Sequence, residues 1–346
     1  MKGARGQPAG LQTRCLTPKR HHDHDQRGMA VIAVLVVVAI VAVLAAALMA
    51  RQATAIRAAQ AGQTQTQARW LLQGEVSRAQ TALYADAQRD AATRLDGLWA
   101  RPVAGAVIGE LGGERALVFS EIIDEQSKFN LRNLVEAGQV DPGESAAFLR
   151  LCDLVGVPRD QANRIARRVI VSLVEADRHS GLSLAEAEIK VARAAAQNLG
   201  IDMLSSREQA PRLRDLDDLL GEPGLNPNIV ALLRPYVTVL PQRTWINANT
   251  AGPEVLAAWV PGLSFDRAKA MLAARNSGQW FINRGDFANR LQMPEIDETE
   301  ILIGITSQWF RLSGALRTPR TTLAVQALLH DDKKSLPQVV WLREGV

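Results

Sequence analysis

Cysteine is almost absent from this chain, with two in 346 residues. Cys15 lies in a polar, basic N-terminal stretch. Cys152 lies in the apolar helical pattern Phe148-Leu149-Arg150-Leu151-Cys152-Asp153-Leu154. That excludes a disulfide framework, and Cys152 is expected to act as a small buried hydrophobe. Histidine is scarce too, at five, and beyond residue 28 only His179 and His330 remain, which leaves little for triad chemistry. His330, beside Asp331-Asp332 in a turn, is expected to be exposed. No phosphate-cradling Gly-rich loop, paired-His metalloprotease motif or Gly-x-Ser-x-Gly elbow occurs. The expectation is a protein that is not an enzyme. A basic excess is also missing once the charge is located. The first 28 residues carry six basic and two acidic side chains, which accounts for the whole formal charge of +4. From Met29 onward the balance is zero, so there is no electrostatic case for nucleic acid.

What the chain does have is an uncharged apolar run over residues 29–50. About 20 such residues cross the ~30 Å hydrocarbon layer as a helix. Lys2, Arg5, Arg14, Lys19, Arg20 and Arg27 precede the run. The positive-inside rule then predicts a cytoplasmic N-terminus and an exported remainder. A secretory signal is cut after its apolar core, at small residues. Here the small residue, Gly28, stands before the core, in Arg27-Gly28-Met29. This arrangement resembles a type IV prepilin signal. The resemblance implies cleavage after Gly28 by a prepilin peptidase, N-methylation of Met29 and retention of the apolar helix. The cluster His21-His22-Asp23-His24 falls in this leader and reads as a solvated tail.

Beyond the run, residues 51 to about 99 are rich in Ala, Gln, Arg and Leu, with no Pro before Pro102. Sparse apolar residues (Ile56, Trp70, Leu71, Leu72, Val76, Leu83) predict an amphipathic continuation of the same helix. Gly62 and Gly74 each cost about 1 kcal/mol relative to Ala and allow a bend. Strands are expected at 116–119, 121–123 and 128–132, and again at 309–316, 322–329 and 338–342, the last three antiparallel across short turns. The intervening residues, about 141–300, read as helices opened by Pro142-Gly143-Glu144, Pro158-Arg159-Asp160, Pro227-Asn228, Pro253-Glu254 and Ser264-Phe265-Asp266. Residues 207–214, with Pro211, read as an exposed linker. The expected class is α+β: a long N-terminal helix, an antiparallel sheet, and a large all-α insert between its strands. In segments, these are a leader (1–28), a transmembrane helix (29–50), its periplasmic continuation (51–101), first strands (102–140), an insert (141–304) and C-terminal strands (305–346).

Arg27-Gly28-Met29-Ala30, Trp70 with Gly74-Glu75, Phe129-Asn130-Leu131-Arg132-Asn133-Leu134, and Pro235-Tyr236-Val237-Thr238-Val239-Leu240-Pro241 with Ile246-Asn247-Ala248-Asn249-Thr250-Ala251 together resemble the type II secretion minor pseudopilin K family. The resemblance covers nearly the whole chain from Arg27. It implies a tip subunit that nucleates and caps the pseudopilus for protein export across the outer membrane. The implied location is the inner membrane, single-pass, with a periplasmic domain. The implied partners are minor pseudopilins I and J, then H and the major pseudopilin G, the prepilin peptidase, and secreted substrates. Ala33 stands at the fifth position after Gly28, where most pilin-like subunits carry Glu. A carboxylate at that depth is costly unless paired, and a tip subunit has no neighbour above it to pair with. A minor pilin of a type IV pilus shares the signal and long helix, and remains an alternative.

Two further patterns have competing readings. Residues 246–275 also resemble a helix-hairpin-helix module, which presents backbone N–H groups to phosphate. Here Pro261-Gly262-Leu263-Ser264 puts Ser where the second Gly would be. Arg267, Lys269, Arg275 and Arg284 are nearby, but Asp266 opposes phosphate. A structural helix pair is the simpler reading, and a membrane-anchored DNA-uptake protein the rival. Second, Glu175, Asp177, Glu186 and Glu188 flank the loop 178–181. The pseudopilin K resemblance implies calcium in the insert, and hard carboxylate oxygens suit that ion. A solvated helix end is the alternative, and Arg178 would oppose a cation.

Overall fold

The computed structural model describes residues 24–178, 186–201, 210–294 and 302–345. The chain divides into two units, 1–65 and 66–346. Helix α1 (His24–Arg89) runs through both and continues past Gly62 and Gly74. It stops ten residues short of the sequence expectation. The carboxylate of Asp90 accepts the Ala92 N–H at 2.9 Å, a local turn that competes with the helical ladder. The chain then makes a single 3-10 turn at Leu98–Ala100.

In the second unit the sheet is five-stranded, built from β1 (Val103–Leu111), β2 (Glu114–Asp124), and the later β9 to β11. The two-residue strands β3 (Phe129–Asn130), β4 (Val135–Glu136) and β5 (Gln139–Val140) follow. Next come helices α2 (Pro142–Leu154), α3 (Arg159–Arg178), α4 (Glu186–Asn198) and α5 (Pro227–Leu233). Short strands β6 (Val237–Thr238) and β7 (Ile246–Asn247) lead to α6 (Pro253–Trp259), α7 (Phe265–Asn276) and α8 (Arg284–Leu291). The chain closes with β8 (Ile303–Gly304), β9 (Trp309–Arg317), β10 (Thr322–His330) and β11 (Gln338–Gly345). The large sheet is antiparallel in the order β1-β2-β9-β10-β11. β2 and β9 are neighbours, so everything between them projects from one end of the sheet.

One face of the sheet carries α1. Ala68, Leu72, Val76, Ala79 and Leu83 recur at helical spacing and are all buried. They meet Ile122, Phe310, Leu312, Val325, Ala327 and Leu329. Each fully buried Leu or Val contributes about 1.5–3 kcal/mol. Gly314 on β9 makes room for its cross-strand neighbour: a Cβ there would meet Val325 Cγ1 at 3.0 Å, whereas the nearest α1 atom, Glu75 Cγ at 3.9 Å, would be in ordinary contact. Arg78 bonds both Glu75 (2.6 Å) and Ser120 on β2 (3.1 Å), and the Ser120 hydroxyl donates to the same Glu75 oxygen. Trp70 points the other way, 72% exposed.

The insert has its own, larger core. α3 contributes Ala162, Ile165, Ala166, Val169, Ile170 and Leu173, and Cys152 is buried within the same cluster. Burial and the neighbouring Asp153 push the Cys152 thiol up to about 12, which leaves it inert. Phe129, Leu131, Leu134 and Val140 belong to this core. The residues after β2 therefore belong structurally with the insert and not with the sheet. The insert is not purely helical either, since β6, β7 and β8 supply parallel pairs, Phe129–Val237 and Ile246–Ile303.

Further departures from the sequence reading have local causes. The strand expected at 128–132 is cut to two residues, because the Asn130 side-chain Oδ1 accepts the Arg132 N–H and opens a 3-10 turn, Leu131–Leu134. β1 escaped notice because Gly105 and Gly109, both at positive φ, interrupt its alternation with register shifts. Leu213, inside the expected linker, is buried in the insert core. His330 ends β10 half-buried, its ring 4.6 Å from Trp309. Asp331 beside it is fully buried and pairs with Lys333 at 2.9 Å.

Candidate functional site

In the first unit, α1 presents an unbroken run of apolar side chains left exposed by the described residues. Met29, Val31, Ile32, Val34, Leu35 and Val36 are all more than half exposed. This stretch is long and apolar enough to cross a membrane. Gly28 lies within α1, one residue before the run.

In the second unit, the polar residues of the two most recognisable sequence segments are buried at the root of the insert. Asp124 ends β2 and has 2% of its surface exposed. Its Oδ2 accepts the hydroxyls of Ser307 and Thr250, each at 2.5 Å, and Asn247 Nδ2 at 3.3 Å. Its Oδ1 accepts the Gln126 N–H at 2.8 Å. Burial pushes Asp124 up, and the bonds from Ser307, Thr250 and the Gln126 N–H only partly offset this. Asn247 Nδ2 also donates to the Thr93 carbonyl (3.1 Å) and Ser307 Oγ (2.7 Å). One carboxylate thus ties together the chain leaving the sheet, the insert and the chain returning to it. Low local dielectric strengthens such a network when its members are paired. The sequence reading did not single out Asp124, Ser307 or Thr93. The available signal was a carboxylate closing the apolar strand Ile122-Ile123-Asp124.

Two asparagines fix the segment before β7. Asn130 Nδ2 donates to the Gln242 carbonyl (2.8 Å) and Thr244 Oγ1 (3.0 Å), and its Oδ1 accepts Leu240 N–H (3.2 Å). Asn133 bonds both backbone groups of Thr244. Glu125 is also fully buried. Burial pushes it up, but Lys128 at 3.0 Å, Arg311 at 3.1 Å and the Thr238 hydroxyl outweigh that and hold it below its ordinary value. Glu144 lacks such cations at contact distance. Burial, with Asp141 nearby, raises it to about 9.

The hairpin-like pair α6–α7 is present, with Ser264 capping α7 through the Arg267 N–H at 3.3 Å. Its arginines serve the fold. Arg275 is 4% exposed and donates to the carbonyls of Ala248 (2.8 Å) and Ala251 (2.7 Å), and burial lowers it to about 10. Arg267 donates to the carbonyls of Leu291 and Gln292, and Arg284 lies over the Trp245 ring. Asn249 completes the arrangement by a two-point bond to the Phe281 backbone, both at 2.9 Å.

Of the carboxylates considered for calcium, the side chains of Glu175 and Asp177 and the loop 179–185 lie outside the described residues. Glu186 and Glu188 sit exposed in the first turn of α4. Among the described residues no three His, Cys, Asp or Glu converge as metal ligands.

With this architecture in view, the sequence matches two family models. Both are described as type II secretion system (T2SS), protein K, one over residues 127–242 and the other over 246–306, together about half the chain. The chain belongs to the type II secretion system protein K family. It is a minor pseudopilin of type II secretion. The matched regions are the insert with its root, where Asn130, Asn133, Asn247 and Thr250 make the bonds above. The fold of this K-family chain is similar to that of a chain in the crystal structure of the GspK-GspI-GspJ complex from the enterotoxigenic Escherichia coli type 2 secretion system. The TM-score is 0.56 at 19% identity, over 83% of this chain and 98% of that one. No curated protein sequence matches the K-family chain.

Proposed function

We propose that this minor pseudopilin forms the tip of the pseudopilus with counterparts of I and J, nucleating assembly and capping it. The observation that carries this reading is the insert's attachment. It leaves the sheet at Asp124, returns at Ser307, and is locked at that root by a buried network. A bulky body so fixed beside the sheet blocks addition of a further subunit there. Ala33 in the apolar run agrees, since it demands no partner amine. The likeness to a chain of the GspK-GspI-GspJ complex supports the choice of partners. Minor pseudopilin H and the major pseudopilin would follow beneath. Secreted substrates would meet the exposed tip. The role is structural, not catalytic.

The maturation pathway belongs to the same proposal. The prepilin peptidase cuts after Gly28, Met29 becomes the methylated N-terminus, and α1 anchors the chain in the inner membrane with its bulk in the periplasm. The test of the tip assignment is co-expression of the full chain with its I and J counterparts and purification in detergent. A stable ternary complex is expected. An I–J pair that forms while this chain elutes alone would refute it.

Calcium in the insert is part of the proposal, held by Glu175, Asp177, Glu186 and Glu188. Such hard oxygen donors would neutralise the ion and join α3 to α4. Millimolar calcium should then raise the Tm above that measured with chelator. Coincident melting curves would remove the ion from this account.

A further inference from the structure

The two edges of the sheet are built differently. β1 carries two register shifts, with Gly105 and Gly109 at φ +72° and +142°. Such bulges twist an edge away from pairing. β11 has one shift, which leaves Val340 as the extra residue, and then pairs without interruption from Trp341 to Gly345. Its other edge has no neighbouring strand among the described residues. Both ends are held to α1: Gln80 donates to the Pro337 carbonyl at 2.7 Å, and Arg69 pairs with Glu344 at 2.9 Å. An ordered edge with no neighbouring strand among the described residues is a template for strand addition.

Beside this edge lies a groove of about 560 Å³ between β11 and the insert segments 211–214 and 239–241. Its apolar lining includes Leu213, Leu240, Leu328 and Trp341. Arg212, Arg214 and Arg343 line it as well. Arg343 stacks on Trp341 at 4.5 Å and bonds Asp215 at 2.9 Å, and Asp215 is shared with Arg311. Arg212 donates to the Pro241 carbonyl. Arg214 is exposed; its backbone N–H is held by Asp218 at 2.7 Å. Arg212, Arg214 and Arg343 thus outnumber Asp215 and Asp218, and the groove keeps a positive balance against its apolar floor.

We infer that the β11 edge and this groove together take an extended acidic segment of a partner protein. The segment adds to the sheet as a sixth strand, with alternate side chains in the groove and carboxylates facing the arginines. The main chain supplies affinity and the arginines supply selectivity. The inference rests on this surface alone and stands apart from the tip assignment.

The test uses the full chain in detergent and a fluorescent peptide alternating Glu and Thr, followed by anisotropy. Saturable binding is expected. It should be lost for the Lys-for-Glu peptide and for a peptide N-methylated at every second amide. Arg214→Glu should weaken the acidic peptide about tenfold and strengthen the basic one. That swap cannot come from misfolding. No saturable binding, equal binding of both charges, or binding indifferent to N-methylation would each overturn the inference. So would self-association of the chain that the acidic peptide fails to inhibit, since a second copy would then own the edge.

Discussion

The side-chain amide of Asn133 grips the backbone of Thr244 from both sides. It accepts the Thr244 N–H at 3.0 Å and donates to the Thr244 carbonyl at 2.9 Å. The two residues are far apart in sequence, and Asn133 has no exposed surface. Replacing Asn133 with Leu leaves two buried backbone groups unpaired, at a cost of about 2–4 kcal/mol. Asp at this position keeps the acceptor, loses the donor and should fall between. Urea denaturation measures both. A Leu variant within roughly 0.5 kcal/mol of the parent, the scatter of neutral surface changes, would mean the amide contributes little.

Glu144 gives the insert a pH dependence of definite sign. Its carboxyl is raised from 4.5 to about 9 by burial and by Asp141. Between these values the unfolded chain is ionised while the folded one holds the proton. The stabilisation is complete below about 4.5 and is lost as pH rises toward 9, by up to about 1.4 kcal/mol per pH unit. Glu144→Gln keeps the shape without the titration and should flatten this slope. Stability profiles that run parallel for parent and variant would dismiss Glu144 as the cause.

Gly314 leaves room between β9 and β10 for the Val325 side chain. Gly314→Ala places a methyl group against Val325 Cγ1 at 3.0 Å and should destabilise by about 1–3 kcal/mol through overpacking. In a Val325→Ala background the same change should cost less, because the obstructing methyl is gone. A double-mutant cycle reports that coupling, and strict additivity would locate the strain elsewhere.

Gly28 carries the maturation proposal. Gly28→Leu should leave the precursor unprocessed when chain and prepilin peptidase are co-expressed, visible as a slower band on a gel. N-terminal sequencing of the parent should begin at residue 29. A variant processed like the parent would place the cut at another position.

Much of the α+β class was legible because it rests on local pattern. Leu72, Val76 and Leu83 mark the buried stripe of α1 by spacing alone, and Ser264 and Pro253 mark helix starts by capping chemistry. The C-terminal strands could be read because short turns separate apolar runs. β1 could not, since its glycines break the alternation that reveals a strand. The end of α1 was misread because Asp90 stops it by a side-chain bond, not by Gly or Pro. At the root of the insert the sequence marked Asn130, Asn133, Asn247 and Thr250 as a recognisable pattern without a reason. The reason is non-local: their partners Asp124, Gln242, Thr244 and Ser307 come from segments up to 183 residues apart.

The chain's one-dimensional order therefore settled the features that depend on neighbours along it. Those are the apolar run, the glycine placed before it, the zero net charge from Met29 onward and the helical spacing of the insert. Tertiary structure alone decided which polar groups are buried together, that Arg275 serves carbonyls and not phosphate, and that β11 has no outer neighbour among the described residues and lies beside a basic groove. Burial and hydrogen-bond pairing are set by residues that meet only after folding, and no periodicity along a chain encodes them.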